Sequence, residues 1–350
     1  MEIKNKRLTI IGNGFDLAHN LETSYGHFLF WYLNEIFEEY KIKRSYEDTL
    51  IVINELEPGS AQLAASFSVN SIESIFNVLE KNKGKIKYKN PFFRKLIINF
   101  VNNGWVDIEA YYFKYLKSVF NNTSIGVDDK RKIIFDLNEG FNYLIEKLKI
   151  YLTNINSTID KTPIQFENPR LNLRNAFFSY DTSQVLFLNF NYTDTLQRKG
   201  YAHEFECLHI HGRVSDSINN PIIFGYGDES DPEYQKIEDS GENIYLEHMK
   251  SFGYFQTDLY QKLLSFIDTE PYDVFIVGHS CGLSDRILLN EIFEHNNCKS
   301  IHVFYHKKKD GKDNFKEITQ EISRHFKPVN KNLMRRKVQS KDSKNIIPQL

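Results

Sequence analysis

The sequence predicts an α/β fold, in which a doubly wound and mainly parallel sheet is interrupted early by a large helical insertion. One apolar, β-favouring run lies near the start of the chain, and further runs follow in quick succession only after residue 183. Amphipathic stretches separate these later runs, and strands that alternate with helices are typical of a parallel sheet covered on both faces. Between residues 41 and 180 the chain instead carries helical periodicity, punctuated by loops rich in glycine and asparagine.

The first predicted strand is 8–11, and a helical pattern over 15–40 follows it, with aromatic and aliphatic residues at three-to-four spacing. Later strands are expected at 184–190, 206–210, 221–224, 273–277 and 300–305. Helices between and after them are expected at 243–267, 286–295 and 314–325. The insertion is expected to hold helices at 61–81, 91–103, 106–120 and 128–153. Several of the strand runs are almost continuously apolar, which indicates burial on both faces of the sheet.

This pattern divides the chain into four segments. Residues 1–40 hold the first strand and the glycine turn of the α/β domain, 41–180 form the inserted helical subdomain, 181–326 complete the α/β domain, and 327–350 form a basic tail. The cations of the tail include Lys331, Arg335, Arg336, Lys337 and Lys341. We expect a solvated, disordered end, with a contact to nucleic acid or to a partner protein as the alternative.

Composition narrows the classes of function. Of 350 residues, 41% are hydrophobic and 26% are charged, as is typical of a globular protein in water. The net charge of -2 gives no general attraction to nucleic acid or to an anionic membrane. The sequence has no long uncharged apolar run, and its first strand begins too early for a signal peptide, so a membrane span and secretion are not expected. Because the three cysteines are scattered, we expect a reduced, cytoplasmic protein with neither disulfides nor a metal site.

Glycines and functional polar residues follow the first five of the predicted strands. They lie at 12–16, 191–194, 211–213, 225–229 and 278–285. In an open α/β sheet, ligands bind outside the carboxyl ends of the strands, where the strand order reverses. Loops that served solubility alone could use lysine, glutamate and serine, whereas these use glycine, asparagine, histidine and aspartate. The sequence therefore predicts a ligand cleft assembled from distant parts of the chain.

Each motif also has a purely structural interpretation. Gly12 and Gly14 would let the backbone approach a phosphate at a helix N-terminus, or would serve an ordinary strand-to-helix turn. Asn191 and Asp194 would act in the cleft, or would cap the next helix. Glu109 would project into the cleft, or would open a helix, since acids in the first turn interact favourably with the helix dipole.

A competing motif lies in the loop after the strand at 273–277. Residues 278–282 fit Gly-x-Ser-x-Gly, the nucleophile elbow of α/β-hydrolases, with Ser280 as the nucleophile. Such an enzyme needs an acid and a histidine later in the chain, and Asp310 and His325 are the most convenient pair. This interpretation leaves the first glycine turn and Asn191 without a role, so it is kept as an alternative.

Several short stretches of the chain resemble one known family. They are GNGFDLAH at 12–19, TSY at 23–25, WVDIE at 105–109, NFNYT at 189–193 and HIHG at 209–212. Together they resemble the AbiH proteins of bacterial abortive infection, from Leu8 to about Tyr305. AbiH proteins are in turn remotely similar to sirtuin-like domains, including the NAD-hydrolysing ones of phage-defence systems. The resemblance therefore implies a Rossmann-type, sirtuin-like sheet, with NAD as a substrate or a ligand.

The resemblance also implies a role for each matching residue. A dinucleotide loop would be formed by Gly12, Asn13, Gly14, Phe15 and Asp16, and the adenine-ribose end would be held by Gly278, His279, Ser280 and Asp285. The chemistry would be carried by Asn191 and His211, with support from Asp194 or Glu109. The chain departs from the sirtuin pattern at Asn13 and Phe15, where small residues are usual. It also lacks the zinc-binding cysteine quartet, which argues against protein deacetylation.

We therefore expect an antiphage effector that hydrolyses NAD to nicotinamide and ADP-ribose on infection. Nicotinamide is already a cationic leaving group, so its release needs a stabilised oxocarbenium-like centre and a held water more than a general acid. A nucleotide-sensing module without catalysis and a serine hydrolase that uses Ser280 are the two alternatives. The expected partner is a small nucleotide, and a second copy of the chain and a phage-derived trigger are left open.

Overall fold

The computed structural model describes residues 5–60, 77–79, 81–104, 106–162, 182, 184–202, 204–307 and 311–347. The chain forms two compact units. The sheet unit comprises Met1–Thr23, Leu152–Asp231 and Met249–Leu350, and the helical unit comprises Ser24–Tyr151 and Pro232–His248. Compared with the predicted segments, the helical unit begins earlier in the chain and also takes in the stretch from residue 232 to 248. No helix of the described ranges is long and apolar enough to cross a membrane.

Nine strands lie in the described residues, and six of them form the parallel sheet of the sheet unit. In chain order the strands are β1 (Lys6–Ile11), β2 (Tyr46–Glu47), β3 (Ile51–Ile53), β4 (Ile86–Tyr88), β5 (Val185–Asn189), β6 (Glu206–His209), β7 (Tyr272–Val277), β8 (Cys298–His306) and β9 (Ile346–Ile347). The order in the large sheet is β6-β5-β1-β7-β8-β9, and every pairing in it is parallel. This is the order of doubly wound dinucleotide-binding folds, in which the chain reverses direction across the sheet beside the first strand. The predicted fold class is confirmed.

The sheet is buried on both faces. All six residues of β1 are buried, and its apolar side chains lie on the two faces of the sheet. Leu8 and Ile10 belong to one hydrophobic cluster, and Ile11 belongs to the other. Residues alternate between the faces of a strand, so a continuous apolar run is what a sheet covered on both sides requires. The run at 221–224 does not fit this rule. It forms no strand, and Ile223 donates a single backbone hydrogen bond to the His211 carbonyl.

Helices flank this sheet and build most of the helical unit. In chain order they are α1 (Asn13–Ala18), α2 (Tyr25–Lys43), α3 (Pro91–Asn103), α4 (Ile108–Phe120), α5 (Val127–Asn156), α6 (Thr195–Arg198), α7 (Pro232–Asp239), α8 (Lys250–Gly253), α9 (Leu259–Thr269), α10 (Arg286–Glu294), α11 (Phe315–His325) and α12 (Lys331–Lys337). Side chains cap the longer helices of the helical unit: Ser24 accepts from the His27 N–H, and Asp107 accepts from the Ala110 N–H. Asp107 thus caps α4 and Glu109 lies in its first turn, as the structural interpretation of this motif predicted.

The helical unit also contains the small antiparallel sheet β2-β3-β4, which the helical periodicity of the insertion did not predict. These strands have two or three residues each, too few for a recognisable alternation. The Asp48 carboxylate anchors the turn between β2 and β3. Its Oδ2 accepts hydrogen bonds from the hydroxyls of Tyr32, Tyr46 and Tyr143, and its Oδ1 accepts from two backbone N–H groups.

The expectation of a disordered tail is wrong for its described residues, which extend to 347. Helix α12 and strand β9 form there, and β9 adds to the edge of the sheet by pairing with Tyr305 and His306 of β8. The buried Lys337 donates hydrogen bonds of 2.8 Å to the carbonyls of Phe293 and His295. The basic run therefore includes a lysine that fastens the chain end to the sheet unit, although its neighbours Arg335 and Arg336 are exposed.

Candidate functional site

The predicted loops meet at the carboxyl edge of the sheet unit. The loops after β1 and β7 contact each other directly through their backbones. Gly14 donates to the Gly278 carbonyl at 2.7 Å, and Gly12 donates to the Val277 carbonyl at 3.1 Å. A Cβ atom at Gly14 would lie 2.8 Å from the Gly278 Cα, so this approach requires glycine.

Gly278 has a second reason to be glycine. Its φ of +73° lies in the left-handed region, and a Cβ there would collide with the Phe15 nitrogen. Phe15 in turn donates to the Gly12 carbonyl at 2.9 Å. The N–H groups of Gly12, Gly14 and Phe15 thus donate within the protein. The glycines are explained by close backbone packing, and a phosphate on this loop stays a prediction.

A buried carboxylate, Asp285, is the centre of the site. It follows β7 at the start of α10 and is 8% exposed. Lys250, whose side chain is fully buried, donates to Asp285 Oδ1 at 2.7 Å. His211 Nε2 lies 3.2 Å from the same oxygen, and His279 Nε2 lies 3.4 Å from Oδ2. Residues from three separate stretches of the chain therefore converge on one acid.

Within this cluster, Lys250 and Asp285 form an ion pair beside a neutral His211. Burial raises the pKa of Asp285, but the Lys250 charge and the two histidine contacts outweigh it and hold that pKa well below its usual range. Burial, with the Lys250 charge, lowers the pKa of His211 to about 4. A buried ion pair persists only where good geometry and further hydrogen bonds compensate for its lost hydration. The histidine contacts supply those bonds.

The tautomers of both histidines follow from their partners. His279 Nδ1 accepts from the Cys281 N–H at 3.0 Å, so its proton lies on Nε2, facing Asp285. His211 Nε2 faces Asp285 and the Tyr254 hydroxyl, each at 3.2 Å, so Nε2 carries the proton there too. His211 Nδ1 then keeps the lone pair that a general base needs.

Asn191 and Asp16 lie at the neighbouring strand ends. The Asn191 amide donates to the Gly12 carbonyl at 3.1 Å, and the Asn191 carbonyl accepts from His209 Nδ1 at the same distance. Asp16 Oδ2 accepts from the Thr193 hydroxyl at 2.6 Å, while its other oxygen is buried and finds no hydrogen-bond partner within the described part of the chain. Burial raises the pKa of Asp16 to about 6.

Two further residues, Asp194 and Glu109, are predicted to be catalytic. Asp194 is bound by Asn156, Arg213 and Ser215; burial raises its pKa, but these hydrogen bonds outweigh that and hold it low. Its carboxylate is thus used to tie the loop after β5 to the end of α5. Glu109 belongs to the helical unit, where it is buried in the first turn of α4.

The geometry around Ser280 differs from that of a nucleophile elbow. In such an elbow the serine itself occupies the strained turn. Here Ser280 is exposed, and the left-handed residue is Cys281, with φ of +57°. Among the described residues, no histidine is hydrogen-bonded to the Ser280 hydroxyl. His325, the convenient partner in sequence, instead donates from Nε2 to the Cys281 carbonyl at 2.8 Å, and Asp310 lies outside the described residues.

Sequence reasoning missed Lys250 and Tyr254, which lie inside a stretch that was assigned to one helix at 243–267. The structure breaks that stretch into shorter turns and the two helices α8 and α9, so its periodicity gave no hint of a buried lysine. His209 was visible in the HIHG motif, but its pairing with Asn191 was not. His209 Nδ1 donates to Asn191, which leaves Nε2 to accept from the Gln197 amide at 2.7 Å.

A cavity of about 210 Å³ lies beside the edge strand β6, and His209 is one of the residues that line it. Arg213, Asn220 and Asp258 contribute to its walls. Asn220 Oδ1 is buried there without a hydrogen-bond partner among the described residues. The cavity has both polar and apolar walls, and it shares His209 with the residues around Asn191.

Comparison with models of protein families gives a match over most of the chain. The family model described as "Bacteriophage abortive infection AbiH" matches residues 8–307. That range runs from β1 into the loop after β8, and it includes all the residues around Asp285. A search of curated proteins finds no match for the chain.

Proposed function

Since the matched range covers most of its length, the chain belongs to the AbiH family of bacteriophage abortive infection proteins, and we propose that its sheet unit binds NAD and hydrolyses it to nicotinamide and ADP-ribose during infection. The observation that carries this proposal is the cluster around Asp285, because it lies at the carboxyl edge of the sheet beside the reversal of strand order. Doubly wound sheets bind nucleotides at this edge. Groups whose pKa is strongly shifted by burial and by a specific charged partner cluster at functional sites.

The reaction would break the bond between C1′ of the ribose and the nicotinamide nitrogen, with the electron pair leaving on nicotinamide. A water oxygen would add to C1′, and its proton would pass to His211 Nδ1 and then to solvent. With a pKa of about 4, His211 is neutral at physiological pH, so this lone pair is available. Asn191 would orient the ribose hydroxyls or the water, and Asp16 would stabilise the positive charge that develops on the sugar.

The proposal is tested by following nicotinamide release from NAD with purified protein, in the presence and absence of infected-cell extract. We expect His211→Gln and Asn191→Ala to lower the rate at least about 100-fold, the scale of a lost general base or positioning group. His295→Gln is the matched control, because this histidine pairs with Asp268, whose side chain is exposed. Wild-type protein that releases no nicotinamide under any of these conditions would overturn the proposal.

A nucleotide-sensing module is the second candidate, and one observation favours it. The N–H groups of Gly12, Gly14 and Phe15 all donate within the protein, so the first loop would have to rearrange to hold a phosphate. Calorimetric binding of NAD or ADP-ribose without any turnover would support sensing over hydrolysis. Cytoplasmic location, a second copy of the chain and a phage-derived trigger stay predictions.

A further inference from the structure

The loop after β7 contains a strained residue that is not glycine. Cys281 has φ of +57°, a left-handed conformation that is unfavourable for an L-amino acid because its Cβ atom comes too close to the following carbonyl oxygen. Its side chain is fully buried in the apolar core of the sheet unit. The strain therefore persists only because surrounding groups hold the residue in place.

Two histidines hold the polar groups of Cys281. Its N–H donates to His279 Nδ1 at 3.0 Å, and its carbonyl accepts from His325 Nε2 at 2.8 Å. The first bond keeps His279 in the tautomer whose Nε2–H faces Asp285. A change in the Cys281 conformation would remove that bond and release the His279 ring from its orientation.

Packing alone does not explain why residue 325 is a histidine. It is fully buried at the end of α11, and its Nδ1 has no hydrogen-bond partner among the residues that the structure describes. A buried acceptor without a partner destabilises the fold, a cost that a phenylalanine of similar shape would avoid. What the imidazole adds over such a ring is the bond from Nε2 to Cys281. Asn290 fixes the backbone of this residue by donating to its carbonyl at 2.6 Å.

We infer that His325 is a positioning residue, which holds the Cys281 peptide in its left-handed conformation and thereby fixes His279 against Asp285. It acts from α11 through one peptide group, without contacting the acid itself. The consequence for catalysis rests on the proposed function, whereas the effect on the loop can be measured without any substrate.

Alkylation of the cysteines tests the inference directly. His325→Phe keeps an aromatic ring and removes the donor, while His325→Gln keeps an amide donor. Cys298 is a second buried thiol of the sheet unit and reports general loosening. In His325→Phe we expect iodoacetamide to label Cys281 about tenfold faster than in wild type, which corresponds to about 1.4 kcal/mol. Cys298 should keep its wild-type rate, and His325→Gln should restore slow labelling of Cys281.

Two results would overturn the inference. One is equal acceleration of Cys281 and Cys298 in His325→Phe, which indicates loosening of the whole unit. The other is a Cys281 rate that does not change, or that is as fast in His325→Gln as in His325→Phe. Ring-nitrogen NMR gives an independent reading: His279 should carry its proton on Nε2 in wild type and in His325→Gln, and should become a tautomer mixture in His325→Phe. A wild-type protein that fails to cleave NAD would contradict the proposed function but would not alter these readings.

Discussion

Lys250→Met removes the cation that balances Asp285 inside the sheet unit. The Nζ atom lies 2.7 Å from Asp285 Oδ1, and the lysine side chain is 0% exposed. Removing one partner of a buried ion pair leaves the other charge buried, which costs about 3–5 kcal/mol. Methionine is close to the apolar stem of lysine in volume, so little of the loss should come from a cavity. We expect the free energy of unfolding to fall by about 3–5 kcal/mol at pH 8.

The loss should be smaller at pH 5.5. In wild type, burial and the nearby Lys250 charge lower the pKa of His211 to about 4, so His211 stays neutral at either pH. Without Lys250, Asp285 would raise that pKa towards or above the unfolded value of about 6.5. A histidine that gains a carboxylate partner contributes stability below its unfolded pKa and loses it as the pH rises. The protonated imidazole would therefore replace part of the missing charge only in acid.

The assay needs a probe in the sheet unit. Tryptophan fluorescence reports elsewhere, because Trp31 lies in the helical unit and Trp105 lies outside the described residues. Urea-dependent exposure of the Cys298 thiol reports the unfolding of β8. Lys262→Met, which breaks an exposed pair, is the control and should cost less than about 1 kcal/mol.

The double variant Lys250→Met/Asp285→Asn should recover part of the stability lost in Lys250→Met, because it removes the uncompensated charge. Two results would refute this reasoning. One is a loss of stability below about 1 kcal/mol in Lys250→Met at pH 8, and the other is a loss in the double variant equal to the sum of the losses in the two single variants.

Three further outcomes are expected. Gly278→Ala should lower the free energy of unfolding by about 2–5 kcal/mol, from left-handed strain and overpacking. Gly282→Ala should be near neutral in a thermal melt, because its φ is -65° and a Cβ atom there would make only ordinary contacts, at 3.7 Å or more. A fluorophosphonate probe should leave Ser280 unlabelled; labelling would restore the serine hydrolase. Burial raises the folded-state pKa of Asp16 to about 6, above its unfolded value of about 3.9, so wild type should gain about 2 kcal/mol relative to Asp16→Asn as pH falls from 8 to 4 in urea titrations. A pH-independent difference between these two proteins would contradict that assignment.

Much of the sheet unit could be predicted from sequence because parallel strands buried on both faces leave continuous apolar runs. That signal identified β1, β5, β7 and β8. It misled at 221–224, where an apolar run next to Pro221 forms no ladder. It also missed β9, whose two residues join the sheet only because the chain end is fastened beside β8. Short elements that depend on distant partners carry no periodicity of their own.

The candidate site likewise contains some residues that could be predicted from the sequence and others that could not. Asn191, His211, His279 and Asp285 could be located because the carboxyl ends of parallel strands share one edge. Lys250 could not, since a lysine in an amphipathic stretch is most often solvated and only the fold brings it to Asp285. The reason for the glycines of the first turn could not be predicted either. Their close contact with the backbone of the loop after β7 is visible only in the folded structure.

The central proposal is tested most directly by the NAD content of infected cells. Cells that carry the wild-type chain and cells that carry His211→Gln would be sampled through one phage cycle, with expression matched by immunoblot. We expect NAD to fall before lysis in the wild-type cells alone, with nicotinamide and ADP-ribose rising together. Wild-type cells that stop phage propagation while their NAD content stays constant would contradict NAD hydrolysis as the mechanism.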